Sequence, residues 1–469
     1  MLTIGIDTKK KEPIYEQIYK YIRDEIKHGV LECGTRLPSS RKLAEHLDVS
    51  RNTVDLAYGQ LLSEGYIESK PKRGYYVSAL DEILDFTVEI SEEEEITEKK
   101  KIYPYDFAPS GVDMMHFPYN TWRKLMREIL MDDNSEIFQT GHSSGDLELR
   151  EAIKSYLHQS RGVICSSHQI ILGSGMEYLL LLLSQIFDKM PVVAMENPTY
   201  MQAYRVFSQL GFDVRAIGMD EAGMMIQDLH ESKAEIAYVT PSHQYPTGIV
   251  MPINRRNALL NWAYEDESRY IIEDDYDSEF RYQGKPIPSL QGNDKKGKVI
   301  YMGTFSKAIA PAIRVGYMVL PKSLLSVYQE TVSFYSCTVS RIDQAILSGF
   351  IREGYFERHL NRMRALYKGK NHFLLQQLKL FGDDIVIRGS SAGLHVLVEF
   401  KGIKDHQEFQ NRLLEQGVRL QPISNYYIDG KPKKECYVLG FARLREIQIE
   451  EGILIIKNLY DKIRIRKEE

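Results

Sequence analysis

The chain has 469 residues, of which 43% are hydrophobic and 10% aromatic, so it is long enough for about two to four folded domains. Its 60 Lys and Arg residues are outnumbered by 65 Asp and Glu, and the net charge of −5 excludes a polycationic protein. The four cysteines form no CxxC pair, which argues against a disulfide framework, a redox dithiol or a metal site. No apolar run approaches the ~20 residues that a membrane helix needs and no signal segment is seen, so we expect a cytoplasmic protein.

Local charge divides the chain more clearly than its total does. Residues 1–78 carry 13 basic against 11 acidic side chains, whereas residues 79–104 carry 3 against 9, including a run of four glutamates. The acidic segment has no sustained apolar period and is typical of a solvated linker. The sequence therefore predicts a small domain over residues 1–78, a charged linker over 79–104 and a larger domain over 105–469.

The first domain shows the pattern of a winged helix-turn-helix. Isoleucines recur every four residues from Ile14 to Ile26, which predicts a helix that begins after Pro13. A serine precedes each of the next two predicted helices and can cap it, namely Ser39 or Ser40 and then Ser50. The last of these helices has apolar residues at helical spacing that we expect to face inward: Val54, Ala57, Tyr58, Leu61 and Leu62. Two strand-like segments then flank a basic hairpin tip, at 66–69 and 75–77.

The polar residues of this domain lie where duplex DNA would need them. Arg51, Asn52 and Thr53 fall in the first turn of the third helix, the end that enters a major groove. Arg can pair with guanine edges and Asn with adenine edges, while Arg41 and the hairpin tip Lys72–Arg73 can bind phosphates. The alternative is a helical hairpin used only for protein contacts, which the low charge of the domain favours slightly.

Two stretches of this domain carry a family resemblance. LPSSRKLAEHLDVSRNTV and LLSEGYIESKPKRGYYV resemble the GntR family of bacterial winged-helix repressors, over roughly residues 11–78. The resemblance implies contacts with operator DNA from six residues of the helical segment and the wing tip: Arg41, Ser50, Arg51, Thr53 and Arg73–Gly74.

The larger domain is predicted to be an α/β unit. Short apolar segments alternate with helical stretches, at residues 169–172, 192–195, 236–240, 270–273 and 299–302. This alternation predicts a mostly parallel sheet covered on both faces. Because ligands of such sheets bind at the carboxyl ends of the strands, polar residues directly after each segment are the candidates for a site.

Three of these strand ends carry suggestive residues. A glycine turn ending at Gly175 precedes a helix that begins near Met176 and could present free N–H groups to a phosphate, although a plain tight turn would look the same. Asp274 could pair with a cation such as a protonated pyridine nitrogen, or could simply cap a helix. Lys307 could form a Schiff base next to a phosphate partner, Arg314, or could be a surface lysine.

Taken together, these features are what pyridoxal 5'-phosphate (PLP) requires. Their order also resembles that of the fold-type I aminotransferases, over roughly residues 105–469. The resemblance implies a large subdomain at about 150–330 and a smaller α+β subdomain that consists of about 331–469 together with 105–149. The motifs TPSHQYPTG, IIEDDYDSEF, YMGTFSK and LGFARL, behind a GntR-like head, resemble the MocR/GabR family of transcriptional regulators.

The resemblance implies a role for each matching position. It makes Lys307 the lysine of the internal aldimine and Arg443 the partner of an effector carboxylate. The remaining cofactor contacts that it implies are Asp274 at the pyridine nitrogen, Tyr276 at the ring hydroxyl, Tyr200 stacked on the ring, and Gly175, Met176, Ser306 and Arg314 at the phosphate.

Three positions depart from the related patterns. Tyr245 stands where aminotransferases usually have an Asn, and Thr140 stands where a phosphate-binding Tyr is common. Gln202 occupies the place of a second carboxylate-binding Arg in GabR, with Arg205 one turn further on. These departures support cofactor binding better than full turnover.

The sequence thus predicts a PLP-dependent transcriptional regulator that senses an amino acid or related amine by aldimine exchange at Lys307. The resemblance further implies a homodimer in which the head of one chain packs on the body of the other. The competing hypothesis is an active PLP-dependent aminotransferase that carries a DNA-binding head. A DNA-binding scaffold with an inactive cofactor site is disfavoured because Lys307, Asp274, Tyr276 and Arg314 are all present.

Overall fold

The computed structural model of the chain describes residues 4–6, 12–79, 101–131, 135–187, 189–282, 284 and 287–465. The chain divides into two compact units, Met1–Lys100 and Lys101–Glu469, called here the head and the body. The predicted linker over 79–104 falls largely outside the described residues, and the boundaries at 78 and 105 stay predictions. Among the helices that are described, none combines the length and the apolar character needed to cross a bilayer.

The head is a three-helix unit with a two-stranded wing. Its elements in chain order are α1 (Ile14–Lys27), α2 (Ser40–Leu47), α3 (Arg51–Ser63), β1 (Ile67–Lys70) and β2 (Gly74–Val77). The two strands pair antiparallel around the hairpin tip. The winged helix-turn-helix predicted from the sequence is therefore confirmed.

Local sequence explains where the helices of the head begin and what they bury. The Ser39 hydroxyl accepts from the backbone N–H of Lys42 at the start of α2, and the Ser50 hydroxyl accepts from that of Thr53 at the start of α3. Both serines thereby satisfy an N–H group that has no partner within its helix. The apolar stripe of α1 packs in the core, but Leu62 of α3 is 41% exposed, so its predicted inward orientation is wrong.

The body contains the remaining helices, α4 (Tyr119–Met131), α5 (Leu147–Arg161), α6 (Met176–Ser184), α7 (Met201–Gln209), α8 (Ile226–Glu231), α9 (Ile253–Tyr264), α10 (Lys322–Thr331), α11 (Arg341–Arg352), α12 (Tyr355–Leu378), α13 (His406–Glu415) and α14 (Glu446–Ile465). Its strands are β3 (Tyr105–Asp106), β4 (Ile170–Gly173), β5 (Val193–Glu196), β6 (Val214–Ile217), β7 (Met219–Asp220), β8 (Gly223–Met224), β9 (Ile236–Val239), β10 (Tyr270–Asp275), β11 (Val299–Thr304), β12 (Gly316–Val319), β13 (Ile385–Arg388), β14 (His395–Phe400), β15 (Val418–Arg419), β16 (Gln421–Pro422) and β17 (Tyr437–Gly440).

The main sheet of the described body has seven strands in the order β4-β12-β11-β10-β9-β5-β6. Neighbouring strands run parallel except at β12, which is antiparallel to both β11 and β4. All five predicted strands are present and almost entirely buried, and β6 and β12 were not predicted. Buried residues of α6 and α7 pack in one core cluster of the sheet, and those of α9 pack in another. The α/β fold is thus confirmed.

A second, smaller sheet belongs to the C-terminal part of the body. Its strands are antiparallel in the order β13-β14-β17-β16, and they share a continuous core with buried residues of α12, α13 and α14. This arrangement agrees with the smaller α+β subdomain that the sequence predicts.

Candidate functional site

The carboxyl ends of five strands of the main sheet surround one cavity. Strands β4, β5, β9, β10 and β11 run in the same direction, so the segments that follow them meet at one edge of the sheet. The cavity has a volume of about 250 Å³ and includes most of the residues singled out in the sequence: Gly175, Met176, Tyr200, Asp274, Tyr276, Ser306, Lys307 and Arg314. It is also lined by Ser110, Glu177, Thr240, Tyr245, Thr304 and Pro311.

Lys307 is the amine of this cavity. It follows β11 and its Nζ donates to the backbone carbonyl of Pro109 at 2.9 Å. Loss of hydration lowers the pKa of Lys307 to about 8, against an opposing effect of the Asp277 carboxylate. About one in ten of these amines is therefore uncharged at pH 7, far more than for an ordinary lysine, and an uncharged amine is a nucleophile for carbonyl carbon.

Asp274 is a buried carboxylate that has no cationic partner among the described residues. It lies within β10, is 3% exposed, and its Oδ2 accepts a hydrogen bond from the hydroxyl of Tyr238. Its Oδ1 has no hydrogen-bond partner among the described residues. Burial raises the pKa of Asp274 to about 7. A cationic group bound in the cavity would satisfy the free oxygen and restore the ionised form.

The opposite end of the cavity is suited to an anion. Gly175 has a φ of 93° and directly precedes α6, whose first N–H groups have no intrahelical acceptor. A Cβ atom at position 175 would lie 2.5 Å from Nη2 of Arg314, so glycine lets the guanidinium approach the backbone. Arg314 pairs with Glu177 at 2.8 Å, and Ser306 adds a hydroxyl. These donors together match a phosphate group.

Three tyrosines enclose the space between the two ends. Tyr200 and Tyr276 each make an edge-to-face contact with Tyr245, with ring centroids 5.8 and 5.4 Å apart. The hydroxyls of Tyr245 and Tyr426 lie 3.4 Å apart. A flat aromatic ligand would therefore lie in an aromatic surround.

A histidine that the sequence analysis did not single out lies behind Tyr276. Nδ1 of His243 is 3.0 Å from the Tyr276 hydroxyl and 3.1 Å from Oδ2 of Asp277. His243 belongs to the TPSHQYPTG motif, and Asp277 follows the tyrosine directly, so their places in two quoted motifs were the signal that could have identified them.

The predicted effector residues lie outside the cavity lining. Arg443 donates from Nη1 to Oδ2 of Asp106 at 2.8 Å, and its side chain is 42% exposed. A Cβ atom on Gly111 would lie 2.5 Å from Cδ of Arg443, so the backbone packs closely on the arginine stem. Gln202 is exposed in the first turn of α7, and Thr140 is exposed as well.

The cavity residues fit PLP. The free Oδ1 of Asp274 could accept the hydrogen of a pyridinium nitrogen, and the donors at the anion-binding end could hold a phosphate. The Lys307 amine could bond to an aldehyde.

On the head, most of the predicted DNA-contacting residues are exposed to solvent. Arg41, Arg51, Asn52 and Arg73 are exposed, and the two helical arginines make only solvent-exposed i,i+4 pairs, Arg41 with Glu45 and Arg51 with Asp55. Two other predicted contacts have local structural roles. Ser50 and Thr53 bond to each other at the start of α3 by their hydroxyls, 2.7 Å apart. Gly74, with a φ of 101°, begins β2 at the hairpin tip.

Comparison with known families assigns both units. The family model described as aminotransferase class I and II matches residues 112–453, and the model of the bacterial regulatory proteins, gntR family, matches residues 14–77. Among solved structures, the kynurenine aminotransferase of Pyrococcus horikoshii matches with a TM-score of 0.70 and 27% identity, over 78% of this chain and 92% of that protein.

Full-length relatives combine the two units in the same way. The HTH-type transcriptional regulator YdeL of Bacillus subtilis is 41% identical, over 95% of this chain and 96% of its own length. The probable rhizopine catabolism regulatory protein MocR of Rhizobium meliloti is 32% identical, over 97% and 95%. The chain therefore belongs to the MocR/GabR family of transcriptional regulators, in which a GntR-type winged helix-turn-helix is joined to a fold-type I aminotransferase-like body.

Proposed function

We propose that this regulator binds PLP at Lys307, senses an amino-acid-like compound at the same site, and couples that event to DNA binding by its head. The observation that carries the proposal is the pairing, in one cavity, of a lysine whose pKa is lowered to about 8 with a buried carboxylate whose Oδ1 has no partner. Burying each of these groups destabilises the protein when the cavity is empty, whereas each group can interact with a bound cofactor.

When bound, PLP supplies an aldehyde carbon that amines attack and a ring that withdraws electrons. The chain's own residues hold and orient that group. Asp274 would accept the hydrogen of the ring nitrogen, and Lys307 would provide the amine that anchors the aldehyde. The remaining proposed contacts are those of Tyr276 with the ring hydroxyl, Tyr200 with the ring face, and Gly175, Met176, Ser306 and Arg314 with the phosphate.

The proposed effector carries both an amine and a carboxylate. The amine is needed to replace Lys307 at the aldehyde carbon. Arg443 offers the forked donor that matches a carboxylate, and one of its nitrogens is already bonded to Asp106, so the effector would take the other N–H groups. The exposed Gln202 supplies no second cation, and we expect an effector that differs from γ-aminobutyrate in length or in geometry.

On the DNA side, we propose that α3 lies in the major groove. Arg51 and Asn52 would face base edges, while Arg41 and the wing tip Arg73–Gly74 would face phosphates. Paired half-sites fit a homodimer, and exposed apolar side chains on α4, such as Met126 and Leu130, provide surface for a second copy. The exchange of heads between the two chains and the cytoplasmic location stay predictions.

Reduction with borohydride tests the cofactor assignment directly. Protein incubated with excess PLP should, after reduction and peptide mapping, carry one pyridoxyl group, and that group should be on Lys307. A label on another lysine, or the absence of any label with PLP in excess, would refute the assignment.

An active aminotransferase with a DNA-binding head is the second candidate. The TM-score of 0.70 to a kynurenine aminotransferase favours it, because the body shares that enzyme's fold and keeps a lysine, an aspartate and an arginine in one cavity. The two candidates differ in turnover. The loaded protein should be given an amino acid and a keto-acid acceptor, and operator binding should be measured in parallel.

We expect the amino acid to alter operator binding with little product formed, because Tyr245, which lines the cavity, changes the surroundings of the ring and small misplacements can cost ~100-fold in rate. Turnover near the usual enzyme range of roughly 1–1000 per second, with no effect on operator binding, would instead establish the enzyme.

A further inference from the structure

The pair formed by His243 and Asp277 is a buried polar feature that the cofactor contacts do not use. Nδ1 of His243 lies 3.2 and 3.1 Å from Oδ1 and Oδ2 of Asp277, and both side chains are only 2% exposed. The same Nδ1 lies 3.0 Å from the hydroxyl of Tyr276, which lines the cavity. Three polar groups from two segments of chain therefore meet behind the ring position.

The surroundings of the imidazole determine where its proton lies. Because Nδ1 faces both oxygens of a carboxylate, that nitrogen must carry the hydrogen and donate it. Nε2 is buried and has no partner among the described residues, so a second proton there would be a buried donor without an acceptor. We therefore assign His243 as the neutral tautomer with its hydrogen on Nδ1.

This tautomer constrains the hydroxyl of Tyr276. Because Nδ1 carries the hydrogen that it donates to Asp277, it has no free lone pair to accept the phenol hydrogen, so that hydrogen must point away from the imidazole. Burial, and after it the charge of Asp277, raises the pKa of Tyr276 well above its usual value, so the hydroxyl keeps its hydrogen. The phenol hydrogen then has two possible acceptors, the Asp277 carboxylate and an oxygen of a ring bound in the cavity that Tyr276 lines.

We propose that His243 and Asp277 are positioning residues that hold the Tyr276 hydroxyl with its hydrogen directed at the ring oxygen of bound PLP. This inference rests on the proposed function, since it presumes that PLP is bound at Lys307. Its consequence is that the pair tunes the protonation of the link between cofactor and lysine, because a hydrogen bond to the ring oxygen stabilises that oxygen when it is negatively charged.

Close packing keeps the imidazole in place. A Cβ atom on Gly393, which has a φ of 74°, would lie 2.1 Å from Cε1 of His243 and 2.7 Å from Oδ2 of Asp277. A Cβ atom on Gly248 would lie 3.3 Å from Nε2. The backbone at these two glycines therefore leaves the ring no room to rotate away from Tyr276.

Other titratable groups face the same cluster, and they determine which residue should be replaced and which can serve as a control. The ring of His395 on β14 lies 5.3 Å from that of His243, and its Nε2 is 2.9 Å from the Pro246 carbonyl. Tyr245 packs against His395, and Lys307 is influenced by the charge of Asp277. Replacing Asp277 would disturb Lys307 directly, so the test replaces His243.

The test measures the visible absorption of the PLP-loaded protein as a function of pH, in wild type and in three variants. Tyr276→Phe should raise the pH midpoint by about 1 unit or more, because it removes a hydrogen bond to a charged oxygen. His243→Leu should raise the midpoint in the same direction by a smaller amount. His243→Asn, which keeps an N–H near the Nδ1 position, should stay close to wild type.

A double variant separates positioning from a general structural effect. In the Tyr276→Phe background, His243→Leu should cause no further shift. The matched control His395→Asn, at a neighbouring buried histidine with no contact to Tyr276, should leave the midpoint of wild type unchanged. Circular dichroism checks that each variant is folded. If His243→Leu is not folded, His243→Gln takes its place, because its amide reaches the Nε2 position and not that of Nδ1.

The outcomes distinguish this inference from the proposed function. An unchanged midpoint in His243→Leu or its Gln substitute, or an equal shift with and without Tyr276, overturns the positioning role while labelling of Lys307 still supports PLP binding. A wild-type protein that takes up no PLP overturns both.

Discussion

The head and the body place their charged residues in opposite surroundings. Arg41 and Arg51 of the head have side chains 81% and 69% exposed, and each pairs with a carboxylate one turn along its own helix. In the body, Asp274 is 3% exposed and has an oxygen without a partner, and the pKa of Lys307 is lowered to about 8. Water reaches the charges of the head, whereas Asp274 and Lys307 of the body cavity have no ion-pair partner among the described residues.

This difference indicates which of the two units needs a bound ligand to pair its charged groups. Exposed ion pairs contribute about 0–1 kcal/mol to stability, so the arginines of the head can exchange their partners for phosphates at small cost. A buried, unpaired charge is far more costly, and the body therefore gains more from a bound cation, anion and aldehyde than the head gains from DNA contacts.

The largest effect is expected from Lys307→Ala. Removing the amine should abolish borohydride-stable labelling by PLP, because no other amine among the described residues lines the cavity. The control is Lys298→Met, at a buried lysine whose Nζ is bonded to the Glu267 carbonyl at 2.7 Å, and it should keep the label. Stoichiometric labelling of Lys307→Ala would show that PLP does not depend on the Lys307 amine of the cavity.

Asp274 should make the cofactor-free body less stable as the pH rises. Its pKa is raised to about 7 in the folded protein, above the ~4 of an unfolded chain, so the stability it provides is complete below about pH 4 and is lost towards pH 7. Asp274→Asn should remove up to about 1.4 kcal/mol per pH unit from this slope. Denaturation of the PLP-free protein followed by tryptophan fluorescence measures it.

The tryptophan signal reports on the body, because both tryptophans, Trp122 and Trp262, belong to it. Glu196, Glu273 and Glu279 also have pKa values raised to about 7 by burial, so a residual slope of the same sign should persist. Exposed Glu231 is the matched control, and Glu231→Gln should leave the slope as in wild type. A wild-type slope in Asp274→Asn would show that this carboxylate is satisfied without the cofactor.

A change at Gly393 tests the packing behind the cavity. Gly393→Ala should lower the free energy of unfolding by about 2–4 kcal/mol, since Ala is strained at a φ of 74° and its Cβ would overlap His243. Gly430→Ala is the control, with a φ of 67° and no atom within 4 Å of the added Cβ, and it should cost about 1 kcal/mol. Equal losses at the two sites would mean that the imidazole can move aside.

The smallest effect on the fold is expected in the head. Arg51→Ala should change stability by no more than about 0.5 kcal/mol, yet relax discrimination at one operator base by roughly 1–3 kcal/mol. Lys20→Ala removes the same charge from α1, away from the proposed groove-facing end of α3, and should keep base discrimination. Footprinting and titrations with single-base operator variants measure both. An unchanged footprint with Arg51→Ala would mean that α3 is not the reading helix.

Much of the fold could be predicted because its signals are local. The serine caps, the α1 stripe and the five buried strands are each encoded within a few consecutive residues. Strand β12 was missed because four residues, Gly316–Val319, follow Arg314 after a short turn with no helix between, and its antiparallel direction leaves no trace in composition. Leu62 has helical spacing but lies at the border of the buried face of α3, so it is 41% exposed although the preceding Leu61 is fully buried.

The site was predicted as a set of residues but not as a set of interactions. Lys307, Asp274 and Arg314 were identified because motifs with a known chemistry contain them. Their partners lie far away in sequence, as with Tyr238 on Asp274 or Asp106 on Arg443, 337 positions apart. Pairing at such separation depends on strand order, which no local pattern specifies.

The antiparallel strand β12 has a practical consequence for work on this protein. The five strands whose carboxyl ends surround the cavity run toward that edge of the sheet, whereas β12 lies between β4 and β11 and runs away from it, beginning just after Arg314. The opposite edge of the sheet contributes none of the cavity residues. Exposed turns there, such as residues 265–268 before β10, are therefore the places to insert a fluorescent tag or to open a circular permutant without altering the chemistry.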